Sequence, residues 1–129
     1  MAQVIVYGLE STIDVHRAAL SDAIHGAIMK ALDYPAEKRF QRFIPLNPAD
    51  FIYPEDRGPR YTIIEISMFE GRTTSAKRAL ISELFARIES ATGIPPHSIE
   101  ITITETPKLN WGIRGQNAQD LSLGYQVDV

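Results

Sequence analysis

At 129 residues the chain is long enough for one domain with a real core, and its 44% hydrophobic and 22% charged residues are ordinary for a globular protein. A net charge of -3 gives no basic surface for nucleic acid or anionic membrane, so neither is an expected partner. The lack of cysteine excludes disulfides, thiol chemistry and cysteine-ligated zinc.

No apolar run approaches the roughly 20 residues of a membrane span. The apolar stretch near the start, about five residues, is too short for a signal peptide. A cytoplasmic protein is the expectation.

The first predicted strand is Gln3-Val4-Ile5-Val6-Tyr7, whose near-continuous apolar run suits a strand covered on both faces. Gly8 to Thr12 breaks it, and Ser11 or Thr12 offers an N-cap for a helix. From Thr12 to Asp33, Leu20, Ile24, Ile28 and Leu32 fall at helical spacing, and Tyr34-Pro35 ends the helix. Phe40 to Leu46 reads as a second strand. Asn47 to Arg60 is a proline-rich connection in which Phe51-Ile52-Tyr53 is a short anchored piece. Tyr61 to Phe69 is a third strand. A second helix from about Thr74 to Thr92 buries Leu80, Leu84, Phe85 and Ile88, with Gly93 as its C-cap. Ser98 to Thr106 alternates Ile99, Ile101 and Ile103 with Glu100, Thr102 and Thr104, so one face of that strand lies in the core. Asn110 to Gln116 is turn-like, and Leu121 to Val129 is a short terminal strand or arm.

Shifting the chain by 60 residues aligns its halves without a gap. Val4 and Val6 meet Ile64 and Ile66, Leu20 meets Leu80, Ile24 and Ile28 meet Leu84 and Ile88, and Pro35 meets Pro95. Strand core, helix stripe and helix stop thus share one register. The α/β fold this predicts is two fused β-α-β units, about 1–58 and 59–129, in a single domain. They would form a four-stranded mixed sheet with two helices on one face. The other sheet face is left to be covered, and oligomerisation is the expected cover. On topology alone, a ferredoxin-like sheet and a tautomerase sheet both fit.

The run Ile63-Ile64-Glu65-Ile66-Ser67-Met68-Phe69-Glu70-Gly71-Arg72, then Lys77-Arg78-Ala79-Leu80, then Asn110-Trp111-Gly112-Ile113-Arg114-Gly115, resembles the tautomerase superfamily. Arg39-Phe40-Gln41 and Asp50-Phe51-Ile52-Tyr53 point to its malonate semialdehyde decarboxylase-like branch. The resemblance implies a homotrimer with sites near subunit interfaces, no cofactor, and an N-terminal proline acting as base or acid on small keto-acids. Such chemistry needs an amine partly neutral near pH 7 in a water-poor pocket, and a cation to hold the substrate carboxylate.

The chain departs from that pattern at its first residues. Ala2 stands where the family has proline. Methionine before alanine is normally trimmed, so Ala2 presents a primary amine with a reference pKa of about 7.7–8.0. Retention of Met1 would displace that amine by about 3.3–3.6 Å. Lys38 occupies the stretch where decarboxylase-like members place an aspartate. Of the paired arginines of the decarboxylase only Arg72 matches, and Glu70 holds the other place, so decarboxylation is not expected.

The resemblance therefore assigns Ala2 and Arg72 to catalysis, and Lys38, Tyr53, Trp111 and Arg114 to binding a small carboxylate-bearing substrate. The structural alternatives are an ion pair for Arg72, interface packing for Trp111 and Tyr53, and a turn for Arg114. His16 and His25, nine apart on one helix, do not share a ligand spacing, and no GxGxxG or Walker pattern occurs, so neither metal nor nucleotide is expected. A keto–enol tautomerase weakened by the missing proline is one functional reading. A non-catalytic binding or structural trimer is the other, with a ferredoxin-like interaction module third.

Overall fold

The computed structural model describes residues 2–121. β1 (Ala2–Leu9) runs directly into α1 (Glu10–Leu32), which returns through a short turn to β2 (Gln41–Leu46). After the proline-rich connection, β3 (Thr62–Phe69), α2 (Thr74–Thr92) and β4 (Ile99–Thr106) repeat the pattern. A two-stranded hairpin, β5 (Gly112–Ile113) and β6 (Gln116–Asn117), follows. The expected arm from Leu121 onward lies, past its first residue, outside the described residues.

The main sheet has the order β2-β1-β3-β4. Within each β-α-β unit the strands are parallel, and the units join through the antiparallel pair β1–β3. Val4 pairs with Ile66 and Val6 with Ile64, so the two strands related by the 60-residue shift lie side by side. These residues, with Ala2 and Met68, face the helices. Leu20, Ile24, Ile28 and Leu32 of α1 and Leu80, Leu84 and Ile88 of α2 bury against them as one core. Phe85 packs at its margin and is only partly buried.

One expectation fails at the start of α1. Neither Ser11 nor Thr12 caps the helix: Leu9 is the last extended residue, no side chain caps the first turn, and Thr12 and Ile13 are already buried inside the helix. The physical reason is the lack of a loop. Gly8 lets the helix fold straight back onto its own strand, since a Cβ there would lie 3.1 Å from Ile13 Cδ1. The second unit does have a loop, and Thr73 caps α2 by accepting the Ala76 N–H at 3.0 Å. Gly93 ends α2 in the left-handed region, φ 75°, as its glycine suggested.

The opposite face of the sheet carries Ile5 and Tyr7 on β1, Ile63 and Glu65 on β3, and Arg42 and Ile44 on β2. Both helices pack on the other face; here Trp111, Ile113 and Ala118 bury Phe69 at one end of β3, Phe51 and Tyr53 pack on Tyr61 at the other, and Ile44 is 39% exposed. Among the described residues, no helix is long and apolar enough to cross a membrane.

Candidate active site

The start of β1 lies beside the end of β3, because Ala2 pairs with Met68. The ladder between β1 and β2 begins two residues later, where the Val4 N–H donates to Phe40 O at 3.0 Å. The Ala2 nitrogen therefore projects past the start of β2. Its hydrogen bond goes to a side chain: it donates to Tyr34 Oη at 3.0 Å, in a buried contact.

Tyr34 sits just beyond the C-terminus of α1. Asp33 takes the left-handed conformation, φ 49°, and the Tyr34 N–H reaches back to Met29 O at 3.3 Å. That reversal drives the Tyr34 ring inward, where it meets the edge of His25 at 6.4 Å and 84°. The buried His25 donates from Nε2 to Ala36 O at 2.8 Å; a carbonyl only accepts, so the proton is on Nε2.

Arg72 comes to the same helix end from the other unit. It is 7% exposed, and NH1 donates to Leu32 O at 2.7 Å. A cation at a helix C-terminus satisfies an orphan carbonyl and complements the helix dipole. The guanidinium thus crosses from the mouth of α2 to the exit of α1. Ala2 and Arg72, far apart in the chain, are tied within two residues of each other on the turn from Leu32 to Tyr34.

The other predicted residues are distributed more widely. Lys38 is half-buried in the turn between α1 and β2, with its N–H on Pro35 O at 3.2 Å. Trp111 packs its edge on Phe69 at 4.8 Å, next in sequence to the Met68 that pairs with Ala2. Arg114 is exposed at the tip of the β5–β6 hairpin, where φ is 52° for Arg114 and 77° for Gly115. Positive φ at both positions is the tight primed turn that joins two-residue hairpins.

Tyr53 packs at a tilt against Phe51 and Tyr61, both ring pairs at 4.8 Å. Tyr61 precedes β3, so this cluster lies about 23 Å along the strand from Met68 at about 3.3 Å per residue. One protomer therefore does not bring Tyr53 to Ala2. An apolar cleft of about 540 Å³ lies at that far end, lined by Leu9, Phe51, Ile52 and Tyr53 among others. Burial raises the Tyr61 phenol above its usual range, and the hydrogen bond to Glu100 at 3.0 Å adds to this.

Tyr34 is the site residue that sequence reasoning missed, having been read only as a helix stop. The 60-residue shift carries a faint signal. Tyr34 aligns with Ile94, and both are buried plugs behind a helix, but only Tyr34 brings a hydroxyl. Among the described residues, no group of three His, Cys, Asp or Glu could hold a metal ion.

A family model described as tautomerase enzyme matches residues 38–114. The 2-hydroxymuconate tautomerase of Pseudomonas putida is 42% identical over 57 residues, which cover 44% of this chain and 90% of that protein. The solved structure of malonate semialdehyde decarboxylase superposes with a TM-score of 0.81 at 22% identity, over 93% of this chain and 99% of the other. A fused 4-OT solved as an asymmetric trimer superposes with a TM-score of 0.79 at 25% identity, over 91% and 96% of the two chains.

Proposed function

Because the chain belongs to the tautomerase family, we propose that it interconverts the enol and keto forms of a small 2-keto acid, with the amine of Ala2 as base and Arg72 holding the substrate carboxylate. In ketonisation the neutral amine takes the enol O–H proton, and the resulting ammonium returns a proton to carbon, so protons balance. Arg72 would steady the negative charge that develops on oxygen between those steps. The observation that carries this reading is the convergence of the Ala2 nitrogen and the Arg72 guanidinium on one helix end, through Tyr34 Oη and Leu32 O. Trp111 would wall the site and Lys38 would draw in the anion.

Tyr53 would reach the site from a neighbouring subunit, so the reading includes a homotrimer, and Arg114 would add a second cation from the β5–β6 hairpin. The trimeric fused 4-OT and the sheet face that carries no helix, with Ile44 39% exposed, support that assembly.

A specific observation favours a second reading, a trimer that binds or scaffolds without catalysis. Ala2 is only 3% exposed, and Arg72 already serves Leu32 O. Intact mass first establishes whether Met1 is removed. Ketonisation of phenylenolpyruvate and 2-hydroxymuconate is then followed for the wild type, Ala2→Pro and Arg72→Ala. The enzyme reading expects slow wild-type turnover, a gain of at least tenfold in Ala2→Pro, and loss in Arg72→Ala. Activity that appears only in Ala2→Pro makes the natural chain a scaffold. A measurable wild-type rate untouched by Arg72→Ala removes Arg72 from the site.

A further inference from the structure

We propose that Tyr34 is the positioning residue of the N-terminal nitrogen, its hydroxyl fixing where the Ala2 amine points and sharing that amine's hydrogen. The inference rests on the reading of Ala2 as the base for its catalytic consequence, but not for its physical content.

The Ala2 nitrogen lacks a strand partner on one side. β1 extends past the start of β2, so the Ala2 nitrogen has no ladder carbonyl on that side and would be a buried donor without an acceptor. Tyr34 Oη stands in that place at 3.0 Å. The phenol is itself held from two sides. His25 packs edge-on against its ring and is anchored on Ala36 O, while Arg72 holds the turn through Leu32 O. Tyr34 is 5% exposed. A backbone carbonyl in this position could only accept. A phenol accepts from an ammonium or an amine, and its own O–H can turn toward a nitrogen lone pair. This matters in a chain whose first residue after Met1 is alanine, because a primary amine has no ring to set its direction.

The sign of the effect follows from charge. A hydrogen bond from an ammonium is stronger than one from a neutral amine, so Tyr34 stabilises the charged form more. Loss of the hydroxyl lowers the pH at which the amine deprotonates. Among the described residues, other charged or titratable groups at this end are His25 on the phenol ring, Arg72 on Leu32 O, Asp33, Glu37 and Lys38 in the turn, the Arg39–Asp22 ion pair at 2.7 Å, Glu70 after β3, and the Lys77–Glu105 ion pair at 2.8 Å between α2 and β4. Tyr34→Phe leaves all of them in place, so a shift in that variant reports the hydroxyl.

The test needs no catalysis. The chain beginning at Ala2, verified by intact mass, is labelled with ¹⁵N-alanine and ¹³Cζ-tyrosine, and the amine is titrated by NMR in the wild type and in Tyr34→Phe. The expected result is a midpoint lower by at least 0.5 pH unit in Tyr34→Phe, about a threefold change in the protonation constant. The wild type alone supplies a second readout: one tyrosine resonance, absent from the variant if that folds, should move at the amine's midpoint. An unchanged midpoint in folded Tyr34→Phe overturns the proposal. So does a wild-type amine titration that no tyrosine resonance follows, or an intact mass of the chain expressed from its own Met1 that shows Met1 retained, because the nitrogen is then an amide. If the amine shifts as expected while neither enol substrate turns over, the tautomerase reading fails and the positioning role stands. If turnover exists, the acidic limb of kcat/KM moves down by the same amount in Tyr34→Phe.

Discussion

Arg72 shows how far residue identity carries and where it stops. Its place after β3 and before α2 was legible in the sequence, and so was its value as an anion holder. That its guanidinium reaches back to the exit of the first helix was not, because only the fold brings Leu32 beside it. The contact makes a prediction independent of catalysis. Arg72→Ala leaves a helix-end carbonyl without its charged donor and should cost about 1.5–3 kcal/mol. Arg72→Lys, with a single ammonium, should lose less. Urea unfolding monitored by Trp111 fluorescence measures both, and an Arg72→Ala midpoint equal to the wild type would rule out the capping role. Tyr61 gives a pH dependence. Its phenol titrates above 10.0 when folded. Its contribution to stability is therefore complete below the unfolded value and is lost as pH rises through the folded one. Stability should decline above pH 10, and Tyr61→Phe should flatten that decline in melts run from pH 9 to 11.

At the scale of elements the repeat was readable because it rests on periodicity. Strand core and helix stripe are set by which residues shun water, and β1 and β3 do lie 60 residues apart in register. Helix starts were less readable, since a capping residue signals a start only where a loop precedes the helix. Ser11 and Thr73 look alike in sequence, but Ser11 lies inside α1 and Thr73 caps α2. Thr73→Ala should therefore cost about 1 kcal/mol, while Ser11→Ala should stay within about 0.5 kcal/mol of the wild type. Equal losses in thermal melts would mean that Ser11 does cap its helix. The β5–β6 hairpin offers the opposite sign. Arg114 holds φ 52°, a conformation that asparagine tolerates better. Arg114→Asn should gain about 0.5–1 kcal/mol. A parallel fall in ketonisation would mark Arg114 as a substrate contact as well as a turn residue.

Across the whole molecule, the limit of the sequence was distance. Tyr53 and Trp111 each read as pocket residues, yet the fold puts Trp111 near the Ala2 end of the sheet and Tyr53 at the far end, packed on Tyr61. Strand pattern tells which face a residue takes; it says little about which end of the sheet a connection packs against. Among the described residues nothing brings Tyr53 to Ala2 within one chain; a second chain would unite them, and the sheet has a face without a helix to receive one. Ile5 and Ile63 sit half-buried there, with Ile44 beside them at 39% exposure and no helix above. Tyr7 lies on the same face, its phenol raised by a hydrogen bond to Glu65, so the surface is mixed and its pairing would be specific. If the homotrimer forms through this face, the wild type should sediment at three times the 14.4 kDa chain mass. Ile63→Lys, which puts a charge at the centre of the face and touches neither Ala2 nor Arg72, should then give monomers that stay folded. Those monomers should lose whatever ketonisation the wild type has, because each would keep its own Ala2 while losing the neighbour's Tyr53. Folded monomers with wild-type turnover would confine the site to a single chain and remove Tyr53 from it.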